Sequence, residues 1–323
     1  IMKLINNLTR IGSSTILGLL LGQSLVSADP SIQLKGEFNG AWTSSSGDYS
    51  STNEQEDGNL DVIFTDTVEG VDVYLRLRQK VDGTAQQNAK LGNAFGTLSF
   101  GDDDGAVDPV DSKVPTIFND ASPKQMIAGM TSDYKDGDNG DNTLTYHSPK
   151  ITENTSFKIA LTKGEGADGA AGSGDITSAS LSTGLGPVAL AFGTAMHDAS
   201  ALTAGAAAFD STFVTASMPL GGAKIGVGIY DSGGSGDESM NIGMSVPLSG
   251  MDFNITYSEH DESTGHDPSG YMIGLGKGLG YGDFTVEYHH ADLTGAATGE
   301  VDTWRLGYSI SFGPATFPTA WIE

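Results

Sequence analysis

The 323-residue sequence contains no cysteine, and its 16 basic residues are far outnumbered by 41 acidic ones. The absence of cysteine excludes disulfides, thiolate metal sites and cysteine nucleophiles. The shortage of cations, with a net charge of -25, argues against nucleic acid as a partner, because phosphate binding requires a positive surface. Hydrophobic residues make up 38% of the chain, which is low for a protein with a large apolar core.

One continuous apolar run lies near the start of the chain. Residues 11–21 follow the basic residues Lys3 and Arg10 and precede the small residues 26–28, a pattern that predicts a secretory signal peptide over residues 1–28. A membrane-anchoring helix is the alternative, but the run is shorter than the about 20 residues that a helix needs to span a bilayer. We therefore expect an exported protein.

After residue 28 the sequence alternates between apolar and polar residues, which predicts β-strands, and no segment keeps a helical period for long. Segment 31–42, SIQLKGEFNGAW, places Ile32, Leu34, Phe38 and Trp42 on one face. Segments 155–163 and 251–259 alternate in the same way. Counting such runs from residue 32 to residue 312, with a weak one at 84–91, predicts sixteen strands.

The connections between these runs alternate in kind. Short Gly/Pro turns such as 184–187 and 219–222 alternate with longer polar loops such as 163–175, an arrangement typical of a transmembrane β-barrel. A soluble sandwich or barrel also alternates, but a chain of this length would then show some strands that are apolar on both faces. The sequence shows none, so we predict an all-β, antiparallel transmembrane barrel.

The segment 71–81, VDVYLRLRQKV, carries three cations with a spacing of two. As a strand it places Arg76, Arg78 and Lys80 on one face and apolar residues on the other. Facing lipid, each cation would cost about 2 to 4 kcal/mol near the bilayer midplane, so three would cost on the order of 6 to 12 kcal/mol. The three cations are therefore expected to face the water-filled interior of the barrel.

Three further stretches resemble the Gram-negative general porin family. Segment 88–106, NAKLGNAFGTLSFGDDDGA, is similar to its short fourth strand, tight turn and fifth strand. Segment 141–149, DNTLTYHSP, resembles the strand that follows its long third loop, and segment 303–312, TWRLGYSISF, resembles its closing strand. The resemblance covers residues 29–312.

The resemblance implies a homotrimer of sixteen-stranded barrels in the outer membrane, each a passive channel narrowed by a third loop folded inside. The matching loop is residues 102–140, and it contains a set of acidic residues, namely Asp102, Asp103, Asp104, Asp108, Asp111 and Asp120. Carried over by position, this loop would face the basic strand residues, joined by Lys35 and Arg305, and the two sets would create a transverse field.

Two departures from the family pattern are present. Asp102 stands where the family usually has arginine, and the Pro-Glu-Phe-Gly motif of the third loop is missing, which puts the geometry of the loop tip in question. The chain also continues past Phe312, so we predict a barrel over 29–312 and a periplasmic tail of unknown role over 313–323.

These observations favour an outer-membrane porin through which small hydrophilic solutes and ions diffuse, with outer-membrane lipid and lipopolysaccharide around it. The acidic balance adds the expectation of a mild preference for cations. No catalytic or nucleotide-binding motif has the required spacing, so we expect no enzyme activity and no cofactor or specific metal site, beyond weak surface binding of divalent cations. A substrate-preferring channel is the main alternative, and a barrel enzyme or a structural outer-membrane protein is a more distant one.

Overall fold

The structure is a computed structural model that describes most of the barrel. The described residues are 30–47, 51–80, 83–103, 105–107, 110, 143–163, 175–198, 208–233, 237–261, 267–280, 282–294 and 299–318. The expected signal peptide over 1–28 lies outside them, as do Asp104, Asp108, Asp111 and Asp120 of the expected acidic loop. No helix among the described residues is long and apolar enough to cross a membrane.

Sixteen strands follow one another along the chain. They are β1 Ser31–Gly47, β2 Ser51–Val68, β3 Val71–Lys80, β4 Ala85–Asn93, β5 Gly96–Gly101, β6 Thr143–His147, β7 Ser156–Thr162, β8 Ile176–Leu185, β9 Val188–His197, β10 Phe209–Leu220, β11 Ala223–Ser232, β12 Asp237–Leu248, β13 Met251–Asp261, β14 Ser269–Gly278, β15 Gly282–Leu293 and β16 Gly299–Pro318. Each pairs with its neighbours in the chain, and β16 pairs with β1, which closes the barrel. The expected sixteen-stranded antiparallel barrel is confirmed, including the weak fourth strand.

The turns at one end of the barrel are tight because their residues adopt positive φ. Glu69 and Gly70 join β2 to β3 with φ values of 51° and 80°, and Ser249 and Gly250 join β12 to β13 with 52° and 80°. Two successive positive φ values match the right-handed twist of a hairpin. The connections at the other end are longer, as between β5 and β6, so the barrel has a short-turn end and a long-loop end.

The two faces of the sheet differ in polarity. On β9 and β10 the exposed positions include Phe192, Met196 and Val214, whereas the alternate positions include the buried Ser211 and Thr215. In a membrane barrel the apolar, exposed face is the one that contacts lipid and the polar face lines the interior. We call these the outer and inner faces.

Aromatic residues extend the outer face toward both ends. Tyr257, Tyr271, Trp304 and Tyr308 are exposed on it, and the rings of Tyr288 and Trp304 lie 5.0 Å apart between centroids. Their outward position is typical of the aromatic girdles that mark the edges of the apolar band in such barrels.

The last strand is longer than the sequence suggests. We expected the barrel to end at Phe312, but residues 315–318 of β16 pair with residues 31–34 of β1. The register shifts between Leu34 and Gly36, opposite Gly313 and Pro314, so a bulge accommodates the proline, which cannot donate to the ladder. The boundary at Phe312 is therefore wrong, and only residues 319–323 of the expected tail lie outside the described residues.

Candidate pore wall and constriction

The three cations of β3 lie on the inner face, where the sequence places them. The strand register sets Arg76 between Ile63 and Asn88, and it sets Arg78 between Asp61 and Gln86. Asn88 and Asp61 are buried polar residues of the inner face. Lys80 follows Arg78 by two residues and therefore shares this face.

Arg78 has a carboxylate partner on the neighbouring strand. Its Nε and Nη2 atoms donate to the two carboxylate oxygens of Asp61, at 2.7 and 2.9 Å. This fork geometry fixes the guanidinium in one orientation along the wall. Lys35 of β1 lies directly across from Asp61 on its other side, so one carboxylate stands between two cations in the same row.

Arg305 also lies on the inner face, on β16. The register places it opposite Thr43 of β1 and Glu287 of β15. Glu287 is fully buried, and one of its carboxylate oxygens lies 3.1 Å from Nε2 of His289. The five predicted basic residues therefore share the inner face, on β1, β3 and β16.

The chain after β5 crosses the inner face of the barrel. We call residues 102, 103, 105–107 and 110 the crossing segment. The main-chain oxygen of Asp102 accepts hydrogen bonds from Nη2 of Arg76 at 3.4 Å and from Nδ2 of Asn88 at 3.3 Å. The Asp102 carboxylate instead accepts from the backbone NH of Gln87. Asp102 therefore meets Arg76 through its main-chain oxygen, and the expectation that the acidic loop faces the basic strand residues stays a prediction.

Asp103 pairs with a lysine that the sequence analysis did not select. One of its carboxylate oxygens lies 3.0 Å from Nζ of Lys90 on β4. Burial alone would raise the pKa of the Asp103 carboxyl, but a hydrogen bond from Ser99 and the ion pair with Lys90 outweigh it and hold the pKa below its usual range. Asp103 is therefore a carboxylate anion at neutral pH.

Three side chains on β7, β8 and β10 then fix the backbone of the crossing segment farther along the wall. Nζ of Lys158 on β7 donates to the oxygen of Gly105 at 2.7 Å. The NH of Ala106 donates to Ser178 on β8 at 3.1 Å, and Thr215 on β10 donates to the oxygen of Val110 at 2.6 Å. These contacts connect the segment to three further strands of the wall.

An apolar contact accompanies these hydrogen bonds. Val107 and Val110 form a buried cluster with side chains of β8 to β11, which are Ile176, Ala191, Ala195, Phe213 and Tyr230. Gly193 of β9 lies beneath both valines, and a Cβ atom there would come within 3.0 Å of Val107 and 3.1 Å of Val110. The glycine therefore allows the crossing segment to approach the wall closely.

Part of the predicted third loop lies outside the described residues, and some charged residues of the wall were not predicted. The prediction that residues 102–140 fold into the barrel stays a prediction for 111–140, which the structure does not describe. Lys90, Lys158 and Asp61 were missed because each is a single charge on an ordinary strand, and only the register brings it to a partner. Within the described ranges no group of three or more His, Cys, Asp or Glu side chains could hold a metal ion.

The described part of the inner face carries similar numbers of both charges. By register and alternation, its described strands carry eight cations, which are Lys35, Arg76, Arg78, Lys80, Lys90, Lys158, Lys224 and Arg305. Their described side chains include six carboxylates, which are Glu37, Asp61, Asp72, Asp252, Asp283 and Glu287, and the crossing segment adds Asp102 and Asp103. The acidic excess of the whole chain, 41 against 16, therefore lies outside this part of the inner wall.

Comparison with known proteins gives a family match and a set of similar folds. A model of the Gram-negative porin family matches residues 18–317. Among solved structures, the chain is similar to an anion-selective porin from Comamonas acidovorans, at 16% identity and a TM-score of 0.70, over 88% of this chain and 100% of that one. No curated protein matches the sequence.

Two other solved structures show the same fold. OmpF of Salmonella typhi, in complex with daunomycin, has 13% identity and a TM-score of 0.70, over 87% of this chain and 97% of that one. OmpT, an outer membrane protein of Vibrio cholerae, has 14% identity and a TM-score of 0.65, over 90% of this chain and 100% of that one.

Proposed function

Because the chain belongs to the Gram-negative porin family, we propose that it forms a water-filled passage through which small hydrophilic solutes and ions diffuse passively. Membership of the family, together with the closed barrel of sixteen strands, makes the protein an outer-membrane β-barrel channel and not an enzyme. The solutes, the ion preference and the assembly are parts of the proposal.

One observation carries the proposal of an aqueous passage. The cations of β3 stand on a polar inner face, while the alternate residues of the same strand, Val73, Leu75 and Leu77, belong to the apolar outer face. Sixteen strands enclose an interior wide enough for water. Cations that would cost about 2 to 4 kcal/mol each in lipid are stable where water or a carboxylate reaches them.

The ion preference follows from the charge of the wall and not from that of the whole chain. The expected mild preference for cations has no support in the near-balanced described inner face. The basic row of β3 and β4 instead supports a strip along which anions are favoured, because a low-dielectric wall focuses the field of its charges. The porin from Comamonas acidovorans, a similar fold, is described as anion-selective.

A planar-bilayer recording tests both parts of the proposal. Purified protein is expected to give stepwise ohmic conductance, and the reversal potential in a salt gradient reports the ion preference. Replacing Arg76, Arg78 and Lys80 together by Gln removes three positive charges and keeps the inner face polar, so the reversal potential should shift toward cation preference.

The salt dependence of this shift serves as an internal control. The Debye length falls from about 10 Å at 0.1 M to about 3 Å at 1 M, so the shift should shrink at high salt. Replacing Lys277, an exposed cation on the outer phase of β14, by Gln should leave the reversal potential unchanged. A triple variant that folds and conducts with the wild-type reversal potential at low salt would refute the basic strip.

We further propose that the channel works as a homotrimer surrounded by outer-membrane lipid and lipopolysaccharide. The family supports this assembly, and the apolar outer face supports contact with lipid. In mild detergent the unheated protein is expected to migrate as a trimer on a gel and as a monomer after boiling. A monomeric mass from light scattering in the same detergent would contradict the trimer and leave the channel proposal intact.

A further inference from the structure

Four polar side chains meet on the inner face of β4 to β7, next to the row of Arg76 and Arg78. The strand register places Ser99 directly between Lys90 and Thr145. Directly paired residues on one face have Cβ atoms about 4.5 to 5.5 Å apart, so these three form a continuous row. Lys158 of β7 is the diagonal neighbour of Thr145, since it pairs with His147. We call these four residues the β4–β7 pocket.

The pocket already holds an anion that belongs to the chain itself. The Asp103 carboxylate lies 3.0 Å from Nζ of Lys90, and Ser99 and the charge of Lys158 both help to lower its pKa. Asn88 orients this arrangement because its Nδ2 atom donates to the Ser99 hydroxyl oxygen at 3.2 Å. Two lysines and a hydroxyl around one carboxylate form the usual donor set for an oxyanion.

The pocket offers more donors than Asp103 uses. The hydroxyl of Thr145 is fully buried and has no hydrogen-bond partner among the residues that the structure describes, although it lies beside Ser99 in the row. The second carboxylate oxygen of Asp103 is also buried with no partner in these ranges, so the carboxylate does not reach every donor there. A buried hydroxyl without a partner is costly, and an anion with more oxygens would give it one.

The pocket has one side that solvent reaches. The side chain of Lys90 is 35% exposed, whereas that of Asp103 is 8% exposed. Lys158 is only 6% exposed and is tied to the oxygen of Gly105, so it contributes a fixed charge at the closed side. An anion moving along the inner wall would therefore meet Lys90 first.

We propose that Lys90, Ser99, Thr145 and Lys158 form an oxyanion site on the inner wall, that Asp103 is its tethered occupant, and that small oxyanions of the phosphate or carboxylate class compete with Asp103 for it. The inference rests on the proposed function only in that solutes reach the inner wall. The tethered carboxylate offsets one of the two lysine charges and so limits the retention of passing anions.

Replacing Asp103 by Asn tests the site, because it removes the competing charge and changes the shape of the residue little. The thermal midpoint of the folded barrel in detergent is measured in sodium phosphate and in sodium chloride at equal ionic strength and pH 7. Phosphate should raise the midpoint of D103N over chloride, with a half-effect concentration at least tenfold lower than for the wild type.

Asp102→Asn is the matched control, since it removes the same charge from the adjacent residue, whose carboxylate accepts a hydrogen bond from the backbone NH of Gln87 on β4. Phosphate also stabilises proteins generally by exclusion from their surface, and this effect should be equal in all variants. Adding Thr145→Val to Asp103→Asn should abolish the extra effect of phosphate. A D103N barrel that responds to phosphate and chloride as D102N does would overturn the proposal.

A second measurement, the refolding yield, tests the site even if the D103N variant folds poorly. If D103N refolds badly in chloride because Lys90 and Lys158 repel each other, phosphate is expected to restore the refolding yield. Equal yields in the two salts would overturn the site. Conductance of the wild type is recorded separately, so a failure of the channel proposal and a failure of the oxyanion site give different results.

Discussion

Gly193 allows the crossing segment to lie against the wall of the barrel, and its replacement by valine should push that segment away. A valine in the middle of a strand normally helps, because glycine costs about 0.5 to 1 kcal/mol there. At position 193, however, a Cβ atom would approach Val107 to 3.0 Å and Val110 to 3.1 Å, closer than ordinary contact. The two effects therefore oppose each other.

The magnitudes favour the clash. Adding methyl groups to a packed core costs about 1 to 3 kcal/mol, and Gly193→Val adds three carbons beneath two valines that hydrogen bonds hold on either side. After subtracting the strand gain, the net loss of unfolding free energy should be about 1 kcal/mol, within a range of about 0 to 2.5 kcal/mol. The crossing segment should shift into the interior, so the single-channel conductance should change as well.

The assay is urea unfolding of the barrel in lipid vesicles, with single-channel recording in parallel. Gly278→Val is the matched control, because a Cβ at that strand position would meet only the Asp283 carboxylate, at an ordinary 3.4 Å. The double variant Gly193→Val/Val110→Ala should recover part of the loss, with a coupling of about 0.5 to 3 kcal/mol. A Gly193→Val barrel as stable as the control, with wild-type conductance, would refute the close approach.

Three further predictions concern the pairs that hold the wall. Truncation after Phe312 removes the partners of residues 31–34, so it should lower the unfolding free energy and the yield of assembled barrel, whereas removal of 319–323 alone is the control. Asp61→Asn should lower the unfolding free energy measured in urea by about 2 kcal/mol. This is less than the about 3 to 5 kcal/mol lost when a fully buried ion pair is broken, because the Arg78 side chain is 24% exposed. Because the pKa of Asp103 is lowered, its contribution to the unfolding free energy is present above the ordinary carboxyl pKa and is lost as the pH falls below 3.8. The difference in unfolding free energy between wild type and D103N should therefore be constant near neutral pH and should shrink in acid.

The faces and the strand count could be predicted from the sequence, because they depend only on local alternation. A spacing of two fixes the face that Arg76, Arg78 and Lys80 share, whatever strand lies beside them. The short turns could be predicted as well, since Gly70 and Gly250 supply a backbone conformation that few other residues adopt.

The partners could not be predicted, because they depend on register between segments that are separate in the chain. Arg78 meets Asp61, which the sequence analysis did not select, since β2 and β3 pair with one register out of several that the alternation allows. Lys90, Thr145 and Lys158 are unremarkable in the sequence, and they form a pocket only when β4 to β7 are aligned. The end of β16 was misplaced because Gly313 and Pro314 suggest a strand end, while a bulge allows the strand to continue.

Chemical access to β3 tests the central claim, that the polar face of the barrel lines a conducting aqueous path. The chain has no cysteine, so Arg76→Cys and Leu75→Cys each introduce one thiol, on the inner and the outer face of the same strand. A negatively charged methanethiosulfonate reagent is added during planar-bilayer recording. The account predicts that conductance and reversal potential change for Arg76→Cys and stay constant for Leu75→Cys. A response from Leu75→Cys and none from Arg76→Cys would contradict it.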